Sequence, residues 1–202
     1  MYDRPDGVAG ESLGLDAYYE DFRSRFRDIE ERDCWKLERG QSFREKDSPS
    51  WEAFVKGDWN QALRLISERR ESLTEYYGRA AGNGVHLYRV RVVAEPISAY
   101  LQWELNSLLQ RSECGERIRV VGLDDVAGFE RNGELPEIVT LGTKAVYQVV
   151  YSRTGLAEGA VRSLKADDVD RWYELISSLY ENGEEIAEFV ERKGVSLRQS
   201  SA

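Results

Sequence analysis

Hydrophobic positions recur along this chain with two periods, and the switches between them mark out its elements. From Val85 to Val93 the residues alternate, with His86, Tyr88, Val90 and Val92 on one side and Leu87, Arg89, Arg91 and Val93 on the other, the two-residue period of a strand. Pro96 follows, suited to the first turn of a helix because the N–H it lacks would have no partner there. Ile97, Leu101, Leu105 and Leu108 then keep a helical spacing to about Gln110. Gly115 ends that run, and Glu116 to Val121 alternates again, Ile118 and Val120 on one face, Arg117, Arg119 and Val121 on the other. A strand, helix and strand of this length predict a parallel crossover unit of right-handed sense.

The flanking segments supply the rest of the pattern. Leu15, Tyr18, Tyr19, Phe22, Phe26 and Ile29 form one stripe of an amphipathic helix, with docking on the core favoured over docking on a partner. Trp35, Leu37 and Phe43 predict a strand or extended arm broken at Gly40. Ser48-Pro49 opens a short helix that ends at Gly57. Asp58 is placed as the N-cap of one long helix carrying Trp59, Ala62, Leu63, Ile66, Leu73, Tyr76, Tyr77 and Ala80, which Gly82-Asn83-Gly84 stops. Asp124 to Pro136 reads as a loop with one helical turn. Glu137–Thr140, Ala145–Tyr151 and Ala157–Leu164 read as an antiparallel meander. Val169, Trp172, Tyr173, Ile176, Leu179 and Tyr180 continue as a helix, broken at Gly183 and resumed by Ile186, Phe189 and Val190. The expected fold is α/β (α+β): a mixed sheet with one β-α-β crossover, an antiparallel meander and flanking N- and C-terminal helices. The expected organisation is a mobile 1–13, a single domain over 14–193 and a flexible 194–202. Within the domain, 14–83 is read as a helical part, 84–165 as the sheet core and 166–193 as C-terminal helices.

Composition narrows the function classes. The chain has 202 residues, 37 acids against 28 bases and a formal net charge of −9, which argues against direct nucleic-acid binding, an affinity drawn mainly from phosphate neutralisation. No run approaches the roughly 18 apolar residues of a membrane helix, and the first residues lack a signal peptide's apolar centre. Cys34 and Cys114 fit neither a zinc spacing nor a disulfide framework and are expected as free thiols. A cytoplasmic protein, monomer or homodimer, is expected.

Candidate chemistry is sparse. His86 is the single histidine, so mechanisms needing a histidine pair are excluded within one chain, and a satisfied structural role is favoured for it. Walker-type, Gly-x-Gly-x-x-Gly and Gly-x-Ser-x-Gly motifs are absent. Asp124-Asp125 and Asp167-Asp168 are adjacent acids of little specificity as metal ligands; the second pair suits the N-terminus of the last helix. No cofactor and no metal is expected. The arginines say more. With the two strands side by side, Arg89, Arg91, Arg117 and Arg119 are expected to share one sheet face, where like charges must be compensated. Internal acids are the favoured answer, with Glu95, Glu104, Glu116 and Asp124 near in sequence. The functional alternative is an anion-binding face, because guanidinium groups suit phosphate and carboxylate. Tyr100 and Trp103, with Glu104, would then edge a pocket beside it.

The central stretch also carries a resemblance. Gly84-Val85, Tyr88-Arg89-Val90-Arg91-Val92-Val93, Glu95-Pro96-Ile97-Ser98-Ala99-Tyr100-Leu101-Gln102-Trp103-Glu104 and Gly115-Glu116-Arg117-Ile118-Arg119 resemble an uncharacterised actinobacterial domain family of unknown function, often encoded beside Xre-type helix-turn-helix regulators. The resemblance spans roughly Phe22 to Tyr173. Where that family has a W-x-x-D/F-D-like stretch, this chain reads Pro136-Glu137-Ile138-Val139-Thr140-Leu141-Gly142. The fold also looks distantly like half of a phospholipase D-type domain, but His86 is followed by Leu87 and Tyr88 rather than by that class's His-x-Lys-Asp signature. The resemblance implies a non-enzymatic accessory or regulatory protein that binds a helix-turn-helix regulator or a small anionic ligand. The alternative is a phosphodiesterase or nucleotide-processing enzyme whose arginines clamp phosphate while Glu104 acts as base.

Overall fold

The computed structural model describes residues 7–29, 33–45 and 47–195. Of the segments expected to be mobile, residues 1–6 and 196–202 lie outside them, whereas 7–13 are described and Glu11–Leu13 pair in the sheet. One eight-stranded mixed sheet organises the chain, in the order β1-β7-β6-β5-β2-β3-β4-β8. Its strands are β1 (Glu11–Gly14), β2 (Cys34–Glu38), β3 (Leu87–Val93), β4 (Arg117–Gly122), β5 (Glu137–Leu141), β6 (Ala145–Tyr151), β7 (Ala157–Ser163) and the two-residue β8 (Glu184–Glu185). β2, β3 and β4 run parallel, and every other neighbour is antiparallel. The α/β fold class, the crossover unit and the meander are all present. The sheet is not confined to residues 84–165, however, because β1, β2 and β8 come from outside that span. β2, the segment read as a strand or arm, lies in the middle of the sheet and joins the meander to the crossover unit.

β2 and β3 are covered on both faces, as parallel strands generally are. On one face α7 (Ala166–Asn182) lays Val169, Trp172, Leu175, Ile176 and Leu179 on Leu37, Val90, Val92, Val121 and Ile138. Most of the other helices cover the opposite face. α5 (Ala99–Glu113) connects β3 to β4 and packs against Ile118 and Val120 together with α2 (Pro49–Val55), α3 (Trp59–Ser67) and α8 (Ile186–Lys193). α1 (Leu15–Arg27) docks Tyr18 on Tyr147, Ala160 and Val139, which places its aromatic stripe on the core as favoured. The single turn α6 (Leu123–Val126) follows β4. No helix among the described residues is long and apolar enough to cross a membrane.

Two helices depart from the sequence pattern. The segment from Asp58 is divided, with α3 ending at Ser67 and α4 (Arg70–Gly82) beginning three residues later. Asp58 is the N-cap as expected, accepting from Gln61 N at 3.0 Å. No apolar residue lies between Ile66 and Leu73. The two halves also bury their stripes against different partners, Ala62 and Ile66 beside α5, Leu73 and Tyr77 beside Cys114 and Leu87. Nothing holds the polar junction to a single axis. In α5 the N-cap is Ser98, whose Oγ accepts from Leu101 N at 3.2 Å, so the helix starts after Pro96 rather than on it, and the Glu95–Pro96 bond is cis. Leu101, Leu105 and Leu108 are buried as expected, but so are Tyr100, Trp103, Glu104, Asn106 and Gln110. α5 is enclosed by the sheet and by other helices, so its polar residues need partners within the fold.

Candidate ligand-binding cleft

The parallel register decides which charges meet. Tyr88 pairs with Arg117 and Val90 with Arg119, while Arg89 pairs with Ile118 and Arg91 with Val120. Arg89 and Arg91 therefore face α5, and Arg117 and Arg119 lie on the opposite face, so the expected four-arginine face is not formed. A one-residue change of register moves every side chain to the other face. Here the register lets Ile118 and Val120 pack under α5, which directs their arginine neighbours away. Arg119 donates to Glu185 Oε1 at 2.8 Å and to the carbonyls of Tyr180 at 3.1 Å and Glu181 at 3.3 Å, at the C-terminal end of α7 where a cation is favoured. Arg117 is exposed, donates to the Tyr88 hydroxyl and lies 5.0 Å from that ring's centre.

Under α5 the charges are buried and paired. β2 places Lys36 beside Arg89 and Glu38 beside Arg91. Glu38 takes Lys36 Nζ at 2.5 Å on one oxygen and Arg89 Nη1 at 2.6 Å on the other. Arg89 Nε donates to Glu116 Oε1 at 2.7 Å, and the second oxygen of Glu116 accepts from the Tyr77 hydroxyl at 2.5 Å. Gly115, at φ +124°, makes the turn that delivers Glu116, and a Cβ there would stand 3.0 Å from that of Tyr77. Arg91 is fully buried. Its Nε donates to Glu104 Oε2 at 2.8 Å, and its Nη1 donates to the carbonyls of Glu38 at 3.1 Å and Val92 at 2.9 Å. The other oxygen of Glu104 accepts from the Tyr100 hydroxyl at 3.2 Å, and Trp103 Nε1 donates to Ser50 Oγ at 2.9 Å. Tyr100 and Trp103 are thus tied into the interior, Trp103 still lining the cleft wall.

These pairings set the protonation of the site. Burial alone would raise the carboxyls of Glu38 and Glu116, but Arg89 outweighs it, joined by Lys36 at Glu38 and by Arg111 at Glu116, and both lie below the usual carboxylate range. Burial wins at Glu104, which is raised despite Arg91. Glu137, on the same face at the start of β5, is pushed up to about 7 by burial and by the Glu38 charge. Its Oε1 accepts from the backbone N–H groups of Arg39 at 2.9 Å and Gly40 at 2.6 Å.

Above this paired floor lies a cleft of about 670 Å³. It runs between the parallel strands, the α3–α4 junction and α5, with Lys36, Glu38, Arg89 and Glu104 below and Arg69, Arg111, Glu45 and Glu68 around it. Arg69 is the residue that sequence reasoning missed. It stands at the division between α3 and α4, inside the polar run from Ser67 to Ser72. Its guanidinium has no carboxylate within ion-pair distance among the described residues. It is held below its ordinary range first by burial and then by the neighbouring charge of Arg111. Arg111 reaches Glu116 only at 3.9 Å and donates to the Tyr77 hydroxyl at 3.2 Å. The trace that the helix division leaves in the sequence is the run from Ser67 to Ser72, six residues without an apolar side chain.

The remaining candidates are structural. His86 Nδ1 lies 3.4 Å from Asp33 Oδ1 at the entry to β3 and lines neither this cleft nor the cavity joined to it. The Cys34 thiol is pushed up to about 12 by burial, far from the reactive range. Asp125 Oδ2 accepts from Gly122 N at 2.7 Å and Asp168 from Ser163 Oγ at 2.6 Å. The cap of α7 is Lys165, with Asp167 and Asp168 only in the first turn. No group of three metal-ligating side chains converges among the described residues.

A mixed-sheet α/β protein with a charged cleft over its parallel strands is thereby defined. The chain belongs to the family described as Domain of unknown function (DUF6879), whose model matches residues 20–191. No curated protein matches the sequence significantly. Among solved structures, that of TrmBL2, described as an archaeal chromatin protein with a novel mode of DNA binding, matches with a TM-score of 0.41 and 8% identity, over 89% of this chain and 55% of that one. The chain thus spans a little over half of that protein's length.

Two predictions follow from the floor of the cleft. Arg91→Met leaves Glu104 buried without its cation and should cost about 3–5 kcal/mol in urea unfolding. Adding Glu104→Leu should restore most of that loss, and a double variant no more stable than the single one would contradict the pairing. Glu137, raised from 4.5 to about 7, binds its proton more tightly in the folded chain. Stability should therefore fall by about 3 kcal/mol as pH rises from 4.5 through 7. Glu137→Gln should flatten that part of the profile, leaving the share of Glu104 and the opposite loss below pH 4.5, where Glu38 and Glu116 become protonated. An unchanged slope would place the titration elsewhere.

Proposed function

We propose that this is a non-catalytic accessory protein whose cleft holds a small anionic ligand. The observation that carries the reading is the meeting of Arg69 and Arg111 at the cleft wall, where Arg69 has no carboxylate within ion-pair distance among the described residues although Glu45 and Glu68 line the same cleft. Two neighbouring guanidiniums gain from a shared phosphate or carboxylate, which is bound through paired N–H donors. Arg89 and Arg91 do not provide the contact, because both guanidiniums are already ion-paired with Glu38, Glu116 and Glu104. They form instead a rigid floor beneath it. Tyr100, Trp103 and Glu104 hold that floor to α5, while Arg117 and Arg119 belong to the far face.

Binding is favoured over phosphodiester hydrolysis by where the acid–base groups lie. Glu104, the candidate base, already accepts from Arg91 and Tyr100, and the imidazole of His86 stands outside the cleft. The family resemblance adds a second element to the proposal: the protein acts in the cytoplasm beside an Xre-type helix-turn-helix regulator of actinobacterial type. The ligand state of the cleft would then be what the regulator senses, with no direct contact between this chain and nucleic acid.

Calorimetric titration with inorganic phosphate should show binding that Arg69→Ala weakens tenfold or more, whereas Arg117→Ala on the far face leaves it intact. Equal affinity in wild type and Arg69→Ala would remove the anion site. A nuclease-treated pull-down of the tagged chain should recover a helix-turn-helix regulator in stoichiometric amount, and recovery of none would remove the partner from the proposal.

A further inference from the structure

The Arg69–Arg111 pair also borders a second cavity, of about 490 Å³, which shares Lys36, Arg69, Arg89 and Arg111 with the first. The two differ in chemistry. The first carries Glu45, Asp47, Glu68 and Glu104. The second has Glu116 as its only acid among the described residues, and that carboxylate is already occupied by Arg89 and Tyr77. Its other wall is aromatic. Phe22 and Phe26 of α1 lie at 5.9 Å between ring centres and 10° between planes, and Phe26 and Tyr76 of α4 at 5.9 Å and 11°. A row of near-parallel rings thus crosses from α1 to α4, with Tyr77 edge-on to Tyr76 at 75°. Tyr76 remains 36% exposed. Leu87, Val139 and the inert thiol of Cys34 complete an apolar floor.

This space is open to solvent on one side and has the size of a small-molecule site. A wall of flat rings beside the guanidiniums of Arg69 and Arg111 selects a ligand with both features in one molecule, a planar ring that stacks and an anion that the arginines hold. We infer that the ligand is of the mononucleotide class, its ring among Phe22, Phe26, Tyr76 and Tyr77 and its phosphate between Arg69 and Arg111. The inference rests on the anion site proposed above and specifies what is attached to the anion. Glu45, Asp47 and Glu68 on the acidic side of the arginine pair disfavour a second anionic group there, so a single phosphate is the better match.

The probes are adenosine 5′-monophosphate, adenosine and inorganic phosphate, titrated calorimetrically into the full chain. The monophosphate should bind at least tenfold more tightly than phosphate, a gain in keeping with one stacked base. Tyr76→Ala should bring the monophosphate down to the affinity of phosphate while leaving phosphate binding unchanged. Tyr76→Leu keeps the apolar volume without the flat face and should do the same if the alanine variant folds poorly. Arg69→Ala should weaken both ligands. If phosphate binds and the monophosphate is no tighter, or if the Tyr76 variants bind it as the wild type does, the ring site is overturned and the anion site stands. If neither phosphate nor the monophosphate binds, both readings fall together.

Discussion

Two arginines buried between a sheet and a helix impose the central constraint on this structure. Arg89 and Arg91 project from the same face of β3 into a space with little water, and an uncompensated charge in such a place costs several kcal/mol. Their compensation comes from four separate places: Glu38 at the end of β2, Glu104 in the middle of α5, Glu116 at the start of β4 and backbone carbonyls of β2 and β3. Each partner fixes one element against β3. The ion pairs need not add net stability over an apolar core of the same shape. They do make any other register between β2, β3 and β4 costly, since a slip would strand a guanidinium.

That network explains how an open cleft can sit over the parallel strands. A floor of committed donors and acceptors keeps its geometry without a ligand. Arg69 and Arg111 stand above it, the first from the α3–α4 junction and the second from the last turn of α5, two turns beyond Glu104. Arg69 stands where the helix divides and borders the cleft from there while remaining exposed. The site thus combines a rigid base with a wall made by a break in regular structure.

The two faces of the sheet have different work. Against α7 the contact is apolar, with Trp172 and Ile176 buried on Leu37, Val90 and Val92. Arg119 closes the end of that helix by donating to its last carbonyls. The α5 face carries the charges, the cleft and the aromatic cavity. The fold sorts these charges: the cleft carries acids and bases in nearly equal number, whereas the aromatic cavity gathers Lys36, Arg69, Arg79, Arg89 and Arg111 against Glu116 alone.

The periodicities of the chain placed most elements correctly, since alternation and helical spacing are local properties set by which side of an element is buried. The crossover unit, the meander, the docking of α1 and the break at Gly183 were legible in that way. Register between parallel strands was not, because no tight turn links them and the connecting helix sets the offset through packing. For this reason Arg117 and Arg119 were expected beside Arg89 and Arg91 and lie instead on the far face. The division between α3 and α4 was equally hidden, as no glycine or proline marks it and its cause is that Ile66 and Leu73 bury against different neighbours. Internal pairing of Arg89 and Arg91 was foreseeable from the acids nearby in sequence, except for Glu38, which folding brings from about fifty residues away. The place of Arg69 was decided only in three dimensions, since folding sets it beside Arg111 and outside ion-pair distance of the described carboxylates.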